Sequence, residues 1–87
     1  MARIRSELFL SRIHQNDFTR IKLKGVQDGT FYLLLEAADG TFILENENGS
    51  MKQYPKIDHA LTWLRRMTNV TEVVVDIEIW RSDERRP

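Results

Sequence analysis

The apolar residues of this chain change their repeat twice, and that change limits the fold more than any other feature. From Phe18 to Glu45 the repeat is two, from Ile57 to Met67 it is close to 3.6, and from Val70 to Trp80 it is two again. A repeat of two marks a strand with one face buried, and a repeat of 3.6 marks a helix with an apolar stripe. The chain therefore reads as strands, then a helix, then a strand. Its 87 residues leave room for one core. The expected class is α+β, a single domain over 1–80 followed by a charged, mobile tail at 81–87.

Turn chemistry divides the first period-two region. Asp28-Gly29 and Asp39-Gly40 are strong hairpin signals, because glycine supplies the positive φ that tight hairpin turns need. They predict an antiparallel meander of strands at 18–26, 30–37 and 41–46. Asn46-Glu47-Asn48-Gly49 is a third turn. Residues 50–54 read as either loop or a short fourth strand closed by Pro55, which has no N–H to give a ladder. Gly25, inside a strand, suggests a bulge.

The helix is predicted over 57–68. Ile57, Ala60, Leu61, Leu64 and Met67 share one face, with Trp63 at its edge. Asp58 in the first turn and Arg65-Arg66 in the last suit the helix dipole. The last strand, 70–80, alternates Val73, Val75, Ile77 and Ile79 with Glu72, Val74, Asp76, Glu78 and Trp80. Residues 4–15 fit a helix through the i,i+4 spacing of Ile4, Leu8, Phe9 and Ile13, or a strand over 7–14; the helix is favoured. The expected fold is thus a sheet of four to five strands with the helix on one face. Leu33, Leu35, Phe42, Leu44, Leu61, Leu64, Val73, Val75 and Ile77 should make most of its core.

The chemistry-bearing residues are sparse. There is no cysteine, which excludes disulfides and thiolate metal sites and fits a reducing cytoplasm. No apolar run approaches the ~18 residues of a membrane span, and no apolar stretch of secretory-signal length follows Arg5. The two histidines, His14 and His59, stand apart, and no nucleophile motif or phosphate-binding glycine loop is present. Glu45, Glu47 and Asn48 lack the spacing of a calcium loop and read as a solvated turn. No catalytic, cofactor or metal residue is assigned, and the chain is not expected to be an enzyme.

Two stripes and two tryptophans remain. Thirteen basic residues balance thirteen acidic ones, unlike the strong positive charge of a general polyanion binder. Arg20, Lys22 and Lys24 nevertheless line one strand face, and Glu72, Asp76 and Glu78 line another. If the strands are neighbours, these stripes form cross-strand ion pairs. If not, Arg20, Lys22, Lys24, Tyr32, Arg65 and Arg66 are candidate nucleic-acid contacts. Trp63, Val74 and Trp80 are candidate interface residues for a protein partner or a second copy, since Trp is enriched among interface anchors. The leading expectation is a non-catalytic binding or assembly module acting through protein contacts, as a homodimer. The alternative is a small nucleic-acid-binding accessory or regulatory protein.

Two stretches carry a resemblance. Gly29-Thr30-Phe31-Tyr32-Leu33-Leu34-Leu35-Glu36 with Asp39-Gly40, and the run from Ile57 through Arg66 leading to Val73-Val74-Val75-Asp76, resemble small uncharacterised proteins of bacterial plasmids and integrative conjugative elements. The resemblance spans residues 29 to 76. It implies a bacterial cytoplasmic accessory protein and transfers no site residue.

Overall fold

A computed structural model describes residues 1–81. The elements run β1 (Ala2–Ile4), α1 (Ser6–His14), β2 (Arg20–Gly25), β3 (Phe31–Ala37), β4 (Gly40–Leu44), α2 (Ile57–Met67) and β5 (Val74–Asp76). They form a five-stranded sheet in the order β1-β4-β3-β2-β5. The class is α+β, as expected. The sheet, however, is mixed and not an antiparallel meander: β2, β3 and β4 alternate in direction, while β1 joins β4 and β5 joins β2 in parallel.

The hairpins follow the glycines. Gly29 and Gly40 have φ of 90° and 136°, open to glycine and strained for other residues. The Asp28 carboxylate accepts the Thr30 backbone N–H at 3.0 Å and so holds the first turn. The Thr30 hydroxyl, with this backbone bond adding to it, keeps the Asp28 carboxyl below its usual pKa. Residues 50–54 contribute only isolated bridges, Glu45 to Met51 and Phe31 to Tyr54, and make no fourth strand.

Both helices cover one sheet face. Ile4, Ile21, Leu23, Phe31, Leu33, Leu35 and Leu44 point to that face and form one buried cluster with Phe9 of α1 and Ala60 and Leu64 of α2. Each such side chain contributes roughly 1.5–3 kcal/mol gross, alanine less. Helix α2 ends where Thr68 turns extended, its hydroxyl donating to the Leu64 carbonyl at 2.7 Å. The expected helix over 4–15 is present over Ser6–His14, but Ile4 belongs to strand β1; the chain after the helix turns at Asn16, which takes a left-handed φ of 59°.

The last strand departs most from expectation. Only three of its residues pair, Val74 to Asp76 beside Lys22 to Lys24 of β2. Beyond Asp76 the chain bends, with the Glu78 N–H donating to the Asp76 carboxylate at 3.0 Å. Val75 and Ile77 are therefore 43% and 58% exposed, and Leu61 is 38% exposed; none of the three joins the core. Phe42 and Val73 pack against the core while partly buried. Of the expected tail, Arg81 reaches the Val26 carbonyl, and residues 82–87 lie outside those described.

Candidate interaction surfaces

Sheet alternation puts Arg20, Lys22 and Lys24 on the face the helices leave open. Register sets Arg20 opposite Glu36, Lys22 opposite Leu34 and Lys24 opposite Tyr32, while β5 brings Val74 beside Lys22 and Asp76 beside Lys24. All three cations have an acidic neighbour. Arg20 Nε lies 2.5 Å from Glu36, Lys22 Nζ 3.1 Å from the other oxygen of Glu36, and Lys24 Nζ 3.5 Å from Asp76. The Arg20 hydrogen bond, with Lys22 adding to it, holds the Glu36 carboxyl below its usual pKa. Asp76 is lowered first by the Glu78 backbone N–H and then by Lys24.

Cross-strand pairing of the basic stripe thus exists, with a different main partner. Asp76 serves Lys24, as the acidic last strand suggested. Glu36 of β3 serves the other two, and the sequence reading did not name it. Counting outward from the Asp28-Gly29 turn puts Glu36 opposite Arg20, and that was the available signal. The apolar pair Leu34 and Ile43 sits in the middle of the open face yet is buried, flanked in register by Lys22 and Arg3, whose aliphatic stems can cover it.

The six candidate nucleic-acid contacts do not share a surface. Tyr32 lies beside Lys24 on the open face, half-buried. Arg65 and Arg66 are exposed on α2, the layer behind the sheet, and Arg65 donates to the Val70 carbonyl at 3.3 Å. Phosphate contact through the stripe would require Arg20, Lys22 and Lys24 to exchange carboxylates already in place.

The two tryptophans pack inward. Trp63 meets Phe9 with ring centroids 5.8 Å apart. Trp80 meets Phe31 at 5.5 Å, and its indole N–H donates to the Gly29 carbonyl at 3.1 Å. Trp80 also explains Gly25, which is not a bulge: it pairs regularly with Phe31, and the tryptophan side chain occupies the space a β-carbon would need. Both rings stay half-buried, covering the rim of the core.

Val74 differs, being 42% exposed on a sheet edge. With Val75, Ile77 and the 42% exposed Ile79 it makes an apolar margin along β5. Among the described residues β5 has one partner strand, so its outer backbone groups face solvent. The sequence alternation had assigned Val75 and Ile77 to the core, so the margin they form was not visible there.

Among the described residues no three His, Asp or Glu side chains are grouped to hold a metal ion, and no helix is long and apolar enough to cross a membrane. Compared with protein-family models, curated proteins and solved structures, the chain matches none.

Proposed function

We propose that this chain is a non-catalytic binding and assembly module that works through protein contacts, with the β5 edge as its contact surface. One observation carries the reading: a strand with a single partner among the described residues bears Val74 and Val75 and runs into Ile77 and Ile79, all between 42% and 58% exposed. Edge strands are ordinarily blunted or covered, because their open N–H and C=O groups pair with any available strand. An apolar margin beside such groups favours a protein over water. An accessory role of this kind is also what the resemblance over residues 29–76 implies.

The test is self-association by sedimentation velocity, comparing the wild-type chain with Ile77→Glu. Ile77 lies outside the buried cluster, so the substitution should leave the thermal melt unchanged. A wild-type mass above that of one chain, reduced to one chain in the variant, supports the reading. A variant that associates as the wild type does removes the β5 edge from the contact.

A further inference from the structure

A cavity lies where β1 gives way to α1 and β4 runs into the loop at 46–54. It holds about 360 Å³, and its walls are the start of α1, the end of β4, that loop and Trp63 of α2. We infer that this cavity binds a small monocarboxylate with a flat apolar body. The inference is independent of the β5 edge.

Two separate parts of its wall lack the partner that an acid would supply. Helix α1 begins at Ser6 with no side-chain cap, and its first backbone bond runs from the Phe9 N–H to the Arg5 carbonyl at 2.8 Å. The N–H groups of Ser6, Glu7 and Leu8 are thus left uncapped at the positive end of the helix dipole. Tyr54 enters from the loop. It is only 6% exposed, and its phenol makes no hydrogen bond among the described residues. None of their side-chain polar atoms is both fully buried and unpartnered, so the phenol oxygen opens into the cavity that Tyr54 lines. A carboxylate oxygen is an acceptor that this hydroxyl and the helix N–H groups can share, and hydrogen bonds to a charged acceptor are the strong ones.

The surrounding charge sets how much acid the cavity takes. Arg5 and Lys52 bring positive charge to the wall, and Glu7, Glu45 and Glu47 bring negative charge. Arg5 already lies 3.5 Å from Glu45, while Lys52 Nζ stands 5.4 Å from the centre of the Tyr54 ring. The carboxylates repel a phosphate dianion, whereas a single negative charge is matched by Lys52 and the helix end. The remaining wall is apolar. Leu44 is buried, and the half-buried Trp63 is held by Phe9 with ring centroids 5.8 Å apart. A ring carried by the acid can lie against that indole.

Titration of the isotope-labelled full chain with sodium benzoate, followed by its amide magnetic resonance spectrum, tests the site. Saturable shifts should centre on the N–H groups of Ser6, Glu7 and Leu8 and on the Trp63 indole N–H, with Val74 to Asp76 unmoved. Benzamide keeps the ring without the charge, and inorganic phosphate keeps charge without the ring; each should bind roughly tenfold more weakly or worse. Tyr54→Phe keeps the ring in the core and removes the phenol, so it should weaken benzoate about tenfold, the scale of a hydrogen bond to a charged group. Lys52→Glu, at a half-buried position, should abolish the shifts in a chain whose thermal melt shows it still folds. Absence of saturable shifts, shifts centred elsewhere, phosphate binding as well as benzoate, or benzoate binding that both variants leave intact would each overturn the assignment.

Discussion

Trp80 lies against the α-carbon of Gly25: a β-carbon built there would stand 2.5 Å from the Trp80 Cβ and 2.6 Å from its ring. The contact joins the bend after β5 to the strand that β5 pairs with, and the indole bond to Gly29 fixes the ring over the first hairpin. Gly25 has no positive φ, so the need for glycine at this position is steric.

Gly25→Ala should consequently destabilise by about 1–3 kcal/mol, the usual cost of forcing extra volume into a packed site. For a domain of this size that lowers the melting temperature by roughly 4–8 °C per kcal/mol. Adding Trp80→Ala should cost less in the Gly25→Ala chain than in the wild type, since it removes the ring atoms at 2.6 Å and leaves only the Cβ contact at 2.5 Å. Thermal melts of the four chains check this; equal costs in both backgrounds would remove the contact as the reason for glycine.

Lys22→Glu places a second carboxylate beside Glu36, whose oxygen is 3.1 Å from the lysine nitrogen. The chain should lose about 1 kcal/mol, the scale of a like-charge cross-strand pair. The same site sets an acid limb. The folded-state pKa of Glu36 lies below the ordinary value of 4.5, so its stabilisation is fully present above that value and is lost as pH falls through the depressed one. Glu36→Gln should flatten that limb in melts recorded down the acid range.

Tyr54 behaves in the opposite direction. It is 6% exposed, and burial pushes its phenol up to about 12 from the ordinary 10.0. Folding therefore favours the protonated phenol, and stability should decline as pH rises from 10.0 to about 12. Tyr32, half-buried on the open face, is a second tyrosine in the same spectrum, so the measurement is ultraviolet titration of wild type against Tyr54→Phe. The difference should isolate a late-titrating phenol; a phenol titrating at the ordinary value would show the ring to be open to water.

Arg12 ties α1 to the β3–β4 turn. Its guanidinium bonds Asp39 at 2.8 Å and Asp17 at 3.1 Å, and lies 5.0 Å from the centre of the Phe42 ring. The Asp39 and Asp17 bonds raise its pKa, in that order, and it in turn lowers that of Asp39. Arg12→Lys keeps the charge and loses the two-carboxylate geometry, so it should retain only part of the stability that Arg12→Ala loses. Equal melting temperatures for both variants would show the planar group to be dispensable.

What the sequence made legible was local. The stripe from Ile57 to Met67 and the two Asp-Gly turns fixed α2 and the strands β2 to β4 nearly to the residue, because each depends on neighbours a few positions away. The edges were not legible in this way. Ala2-Arg3-Ile4 is too short to show a period, and its partner Phe42-Ile43-Leu44 lies some forty residues on. Val70 to Trp80 shows a clear period over its whole length, yet only Val74 to Asp76 pair, and the chain bends away after Asp76. Alternation records which side chains share a face, and only the neighbouring strand decides whether that face is covered. This is why Val75 and Ile77 read as core and lie in solvent.

The placement of these edges has a kinetic side. The central three strands close through short loops, so they can form early at small entropic cost, whereas β1 and β5 must be brought in from far along the chain after the helices are laid down. The two outer strands are then also the last parts of the sheet to dock and the first to open, and their amides should exchange with solvent well before those of β3.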